Sequence, residues 1–241
     1  MIQLFDTFVN IYSYNDLNEK ILGSISKDKK NLTFFYLNSY ALYLINKNPN
    51  YKKLFNQSDY IIPDGISIPI AAKILYNKNI SKIRVNLNFF LYLLDIIIKQ
   101  NLKVFLLGSH KKTINKAKDI LIGQGVNIID INDGYNITQE TITKINQAKP
   151  DILVVGMGMP KQEIWIMENK DKINSKVIIT VGDLIDIIAG ESNIAPEWLT
   201  NTPFEWVYRL LHDPIRLFPR YIKCQPYYIY LLLKEFIKRS R

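Results

Sequence analysis

Cysteine is almost absent from this chain. Its 241 residues hold one, Cys224, which excludes an intramolecular disulfide and points to a reducing compartment. Histidine is scarce too, and His110, His212 and a single cysteine make no zinc set. No apolar run is long enough to span a bilayer. The densest, Phe89 to Ile98, is short and is interrupted by Asp95. The first residues, Met1 to Asp6, lack a basic stretch leading into an apolar one, so they do not read as a signal peptide. Neither a Walker A loop nor a Gly-x-Ser-x-Gly elbow occurs. No Asp-x-Asp triplet occurs either, which removes the paired carboxylates that a divalent cation would use. Internal repeats and low-complexity linkers are also missing.

Positive charge is in excess. Lys and Arg number 31 against 22 Asp and Glu, a formal charge of +9 with a pI near 9.3. Such a balance attracts nucleic acid, anionic lipid or phosphorylated substrates without choosing among them. A hydrophobic share of 48% in a chain of this length supports one large α/β domain, or a domain plus an appendage.

Apolar strands alternate with helical patterns along most of the chain. Ser13 to Asp16 resembles a capping box opening a helix to about Ile21, with Gly23 to Asn31 a polar loop. Strands are expected at Leu32–Leu37, Tyr60–Ile62, Lys103–Leu107, Asn127–Ile131, Asp151–Val155 and Val177–Val181. Helices are expected from Asn38, over Ile66–Tyr76, Leu87–Gln100, Thr113–Ile122, from Gln139, over Gln162–Asn169, and from Asp183 to Ala189. Pro160 suits the first turn of its helix. This order predicts a Rossmann-like parallel sheet with helices on both faces.

Composition shifts near Gly190, dividing the chain into an α/β core at 1–190 and an appendage at 191–241. From Pro203 onward eight Lys or Arg face three acidic residues, and nine residues are aromatic. Asp213-Pro214 reads as a helix cap with proline at the first position. Pro219 is expected to kink that helix, and Pro226 to start a last one. Basic residues beside aromatics on an amphipathic segment suit a membrane surface. They equally suit a helix docked on the core with a solvated basic edge.

The strand ends carry the candidate chemistry. Asp64, in Pro63-Asp64-Gly65, would face the ligand crevice at the carboxyl end of a strand and act as general base on a hydroxyl. The same tripeptide also serves as a plain turn. Asn38 ends another strand, where it either reaches that crevice or caps the next helix. Gly108, Gly156 and Gly182 each follow an apolar strand and suggest a crevice floor whose N–H groups meet a diphosphate. Gly156-Met157-Gly158 lacks a third glycine, and no acidic residue stands at ribose distance, which argues against a nicotinamide cofactor. With no carboxylate pair for a metal, leaving-group charge would fall to arginines and helix N-termini.

Read in order, these residues resemble the WecG/TagA/CpsF glycosyltransferase family over nearly the whole chain. The resemblance rests on Phe5 to Asn10, Asn38, Asp59 through Pro63-Asp64-Gly65, Val104 to Gly108 and Gly134-Tyr135. It continues in Gly156-Met157-Gly158-Met159-Pro160-Lys161-Gln162-Glu163, then Val181-Gly182, Asp186 and Ala189-Gly190. Its last parts are Ala195-Pro196, Glu205 to Leu210, Pro214, Arg216-Leu217 and Arg220-Tyr221. It implies an inverting, metal-independent transfer of an N-acetylhexosamine from a UDP-sugar to a polyprenyl diphosphate-linked sugar. N-acetylmannosamine is the family's sugar in wall teichoic acid synthesis. Carried over, Asp64 would be the base, and Asn38 and Gln162 would line the donor pocket. Lys161 and Glu163 of the same signature count among the binding residues. Arg209 and Arg216 would close over the diphosphate from the appendage, with Arg220 as a further partner. No metal or other cofactor is implied. The location implied is cytoplasmic, peripheral on the inner face of the cell membrane. The tail is compatible with oligomers that bury it and with membrane-bound monomers that expose it.

The chain departs from the family pattern at four places. Tyr36 stands where a hydroxyl residue is usual two before the asparagine. Arg84 to Phe89 replaces an Arg-Val-Thr-Gly-x-Asp segment. Asp183 replaces the glycine after Val-Gly, and Ile194 an arginine before Ala-Pro. Two rival classes are a homologue that binds such ligands without this transfer, and a nucleic-acid binder with a basic face and steep salt dependence.

Overall fold

The computed structural model describes residues 2–5, 7–27, 31–80, 89–200, 202 and 204–239. An antiparallel ribbon, β1 (Ile2–Leu4) and β2 (Thr7–Val9), precedes α1 (Tyr14–Ser26). The Ser13 hydroxyl accepts from the Asp16 N–H, and the Asp16 carboxylate accepts from the Ser13 N–H, so the capping box forms. The helix passes the expected stop at Ile21 because Leu17, Ile21 and Ser24 continue one buried stripe. It therefore takes up the first part of the expected loop; positions 28–30 of that loop lie outside the described residues.

The rest of the core follows the alternating plan. β3 (Leu32–Leu37) leads into α2 (Ser39–Lys47) and α3 (Pro49–Phe55), then β4 (Tyr60–Pro63), α4 (Ser67–Tyr76) and α5 (Phe90–Lys99). β5 (Val104–Gly108), α6 (Lys111–Gly123), β6 (Ile128–Asn132), α7 (Gln139–Ala148), β7 (Ile152–Gly156), α8 (Lys161–Asn169), β8 (Val177–Thr180) and α9 (Leu184–Ile188) complete it. Two details differ from expectation. α3 arises because the Asn48 side chain caps it and Pro49 takes its first position, a signal not read from the sequence. α8 starts at Lys161, so Pro160 precedes the helix and does not lie in its first turn. The expected beginning of α5, at Leu87, lies outside the described residues.

All strands from β3 to β8 pair in parallel, in the order β4-β3-β8-β7-β5-β6. Side-chain parity explains why the sheet needs helices on both faces. Phe34 and Tyr36 enter one apolar core with Val104, Leu106 and Val154; Phe35 and Leu37 enter the other with Phe105, Leu107 and Val155. Strands buried on both sides read as continuous apolar runs. Each such side chain contributes about 1.5–3 kcal/mol by leaving water.

After Gly190 come α10 (Glu197–Thr200), α11 (Glu205–His212) and α12 (Pro214–Arg239). Asp213 caps α12 through its carboxylate, and Pro214 opens it. The expected new start at Pro226 is overturned: one helix continues through both Pro219 and Pro226. An interior proline frees the carbonyl four residues before it. Here those are the carbonyls of Ile215 and Ile222, residues 91% and 57% exposed and so on the solvent side of the helix. Docking holds the helix on its other side. Leu217, Tyr221, Cys224, Tyr228 and Leu231 form a buried stripe against α2 and α4 of the same chain. Within it the Tyr228 hydroxyl donates to the Ser67 carbonyl, and the Arg220 guanidinium lies 4.2 Å from the Tyr40 ring centroid. The tail thus docks on its own core.

Candidate active site

Six parallel strands bring six carboxyl ends to one edge of the sheet, where ligand crevices of such folds lie. Asp64 follows β4 there, its N–H donating to the Leu37 carbonyl at 2.8 Å. Asn38 follows the neighbouring strand β3. Its Oδ1 accepts from the N–H groups of Tyr40 and Ala41, capping α2, and its Nδ2 donates to Asp64 Oδ2 at 3.1 Å. One side chain therefore both caps a helix and aims the carboxylate. Burial raises the Asp64 pKa above the ordinary carboxylate value. The Asn38 hydrogen bond and the Arg209 charge oppose that rise, while Glu205 and Asp183 add to it. A carboxylate held this way is a stronger base than a solvated one. Tyr36, one of the departures, is buried beneath this site, with burial and the Asp64 charge both raising its pKa.

The appendage supplies the cations. α11 brings Arg209 onto the Asp183 carboxylate just beyond β8, and Arg216, at the start of α12, lies 3.8 Å from the same oxygen. The Arg209 pKa is raised, by Asp183 above all. Arg220 sits elsewhere, against Tyr40, Tyr221 and the α2–α3 side of the core.

The signature stretch plays an unexpected part. Gln162 is 1% exposed, and its Oε1 accepts from both Gly158 N–H (3.2 Å) and Gly182 N–H (3.3 Å). It cross-links the ends of β7 and β8, and it occupies the Gly182 N–H that was expected to meet a diphosphate. Its Nε2 donates to Glu163 Oε1 at 2.7 Å. Glu163 is fully buried, its Oε2 accepting from the Tyr51 hydroxyl of α3 at 3.2 Å. Burial pushes the Glu163 pKa from 4.5 up to about 7. Both residues position the loops from behind.

The glycines have steric reasons as well. A Cβ on Gly108 would fall 2.1 Å from the Gly156 carbonyl oxygen, and one on Gly156 would meet Ile185 at 2.9 Å. The backbone contact at Gly108 excludes any side chain there, whereas at Gly156 the tip of the Ile185 side chain would have to give way. Gly182, at φ +58, turns the chain out of β8.

The far half of the same edge presents an aromatic platform. His110, itself exposed, stacks on Tyr135 with ring centroids 4.1 Å apart. Lys161 lies 5.3 Å from the Tyr135 centroid and donates to the Gly134 carbonyl, while Ser109 donates to Asp186. A separate surface groove of about 640 Å³ between α7 and α8 takes in Lys161 but neither Asp64 nor Asn38.

The structure thus gathers Asn38, Asp64, Arg209 and Arg216 at one part of this edge and Lys161 beside Tyr135, with Gln162 and Glu163 buried under the glycine turns and Arg220 against Tyr40 and Tyr221. Sequence reading missed Glu205, whose charge acts on Asp64, and the His110–Tyr135 stack. It also missed Tyr51, which carries no local signal, being 112 positions from its partner Glu163.

Comparison with known proteins gives the family. The model of the glycosyl transferase WecG/TagA/CpsF family matches residues 2–241. An N-acetylglucosaminyldiphosphoundecaprenol N-acetyl-beta-D-mannosaminyltransferase of Bacillus spizizenii is 31% identical over 194 residues, 78% of this chain and 74% of that protein. A protein of the same name from Staphylococcus aureus is 31% identical over 220 residues, 85% of each chain. With a family match over nearly the whole chain and relatives of this identity, the chain belongs to the WecG/TagA/CpsF family of glycosyltransferases.

Proposed function

We propose that this chain transfers an N-acetylhexosamine, N-acetylmannosamine foremost, from a UDP-sugar to a polyprenyl diphosphate-linked N-acetylglucosamine, in the assembly of teichoic acid or another cell-surface polymer. The relatives' names support the acceptor and the sugar. The observation that carries the reading is Asp64, a base raised by burial and aimed by Asn38 at the end of β4. An acceptor hydroxyl beside it gives its proton to the carboxylate as oxygen attacks the anomeric carbon. The bond from that carbon to UDP breaks, and the transition state has oxocarbenium character. Charge on the departing diphosphate is met by Arg216 and Arg209, without added metal. Uridine suits the Tyr135–His110 platform beside Ser109 and Asp186. That leaves the diphosphate near β8, between the platform on β5 and β6 and the base on β4. One attack from the face opposite UDP inverts the anomeric centre, in keeping with the β product in the relatives' names.

The test pairs a panel of UDP-N-acetylhexosamines with a short polyprenyl diphosphate–N-acetylglucosamine, without metal, read by mass spectrometry. A product heavier by one N-acetylhexosamine from one donor is expected. No product from any donor, on folded protein, would sink the reading.

A lipid-linked acceptor supports a reaction at a membrane surface, on our reading the inner face of the cell membrane, and α12 offers the contact. No helix among the described residues is long and apolar enough to cross a membrane. Opposite its docked stripe, however, α12 exposes Ile215, Phe218, Ile222, Ile229, Leu233 and Phe236 at helical spacing. Arg216, Lys223 and Lys234 share the flank between the two stripes, the charge pattern of a helix lying on an anionic surface. Co-sedimentation with phosphatidylglycerol vesicles should exceed that with phosphatidylcholine and fall with salt. The double change Ile222→Glu and Leu233→Glu should abolish it. Binding unaffected by that change would place the contact elsewhere.

A further inference from the structure

The crevice already holds an anion of its own. Gly182 turns the chain out of β8, and Asp183 follows at the start of α9 with a side chain only 10% exposed. Its carboxylate accepts from Arg209 and lies 3.8 Å from Arg216, the two cations that the transfer reaction needs for a diphosphate. Family resemblance leads one to expect glycine there, a residue that offers nothing to an arginine. The two arginines are already matched by anions, Asp183 and Glu205 beside Arg209, and Asp183 and Asp213 beside Arg216.

We propose that Asp183 is a built-in stand-in for the diphosphate, latching α11 and the start of α12 over the strand ends before any donor binds. The inference rests on the reading of Arg209 and Arg216 as diphosphate ligands. Each edge of a guanidinium matches one carboxylate or one phosphate edge; Arg216 already gives its Nε to Asp213 at 2.5 Å while its Nη2 faces Asp183 at 3.8 Å. UDP must therefore part Arg209 from Asp183, or bind beside a carboxylate of like charge. Two consequences follow for the unliganded protein. The appendage is held closed by a side chain of the core, and affinity for the nucleotide is weaker than the arginines alone would give. Asp183 is thereby a residue that sets donor affinity without touching the reacting atoms.

The experiment compares wild type with Asp183→Asn, which keeps the shape, and with Asp183→Gly, which restores the residue expected from the family. Backbone hydrogen exchange at 205–216 is followed with and without UDP, and UDP affinity is measured by calorimetry. Both variants should bind UDP about tenfold more tightly. Without ligand, both should exchange faster at 205–216, and UDP should restore the protection. A residue with a merely structural role would not tighten UDP binding when removed. UDP binding no tighter in either variant than in wild type, or exchange unchanged without ligand, would overturn the latch. If UDP binds to none of the three proteins, the donor reading fails. The exchange comparison then decides the latch alone: faster exchange in both variants supports it, and equal exchange overturns it.

Discussion

Asp64→Asn is expected to lower the rate of transfer by about 10²–10⁴-fold, the usual contribution of a positioned general base. UDP affinity should be nearly unchanged. The substitution is close to isosteric, and Asn38 Nδ2 still finds an oxygen at the same place, so the turn and the α2 cap survive. What disappears is the proton acceptor. Since burial raises the Asp64 pKa, the acid limb of kcat/KM in wild type should lie above the ordinary Asp range. Activity appears as the pH rises through that limb, because only the ionised carboxylate accepts a proton. Calorimetry with UDP and a mass-spectrometric rate assay separate binding from turnover. A variant that keeps its turnover shows that another group takes the proton.

The second large effect concerns stability and comes from Glu163. Glu163→Ala orphans the Tyr51 hydroxyl and Gln162 Nε2 in a buried place, at about 1–3 kcal/mol for each. Glu163→Gln behaves differently because it retains the shape without the charge. Between pH 4.5 and about 7 the unfolded chain has released the Glu163 proton while the folded chain retains it. The folded state then binds more protons, and its stability falls as the pH rises through that window. The total is on the order of 3 kcal/mol. Tyr51, Gln162 and Arg220 favour the charged form and oppose burial, which remains the larger cause. Urea unfolding from pH 5 to 8 should show wild type losing stability relative to Glu163→Gln across the window. Parallel profiles would show that Glu163 ionises in the folded protein as it does in water.

Much of the fold was legible because strands buried on both faces leave continuous apolar runs, and Gly108, Gly156 and Gly182 mark where they end. Asn38 and Asp64 were legible as well, since residues at the ends of adjacent parallel strands must meet at one edge. Three kinds of feature were not. The run of α12 through Pro226 depends on tertiary docking of its opposite stripe, which local proline chemistry does not register. Gln162 and Glu163 belong to a motif that reads as binding, yet their side chains turn inward to the glycine loops and to Tyr51. Asp183 was visible as a departure, but its pairing with Arg209 spans 26 positions and depends on how the appendage folds back.

Asp64 as the lone base implies a single displacement, and the anomeric configuration of the product tests that most directly. With an α-linked UDP-N-acetylhexosamine and the polyprenyl diphosphate acceptor, nuclear magnetic resonance of the isolated product should show a β-linkage. An α-linkage would require two displacements through a second nucleophile, and would contradict the mechanism at its centre.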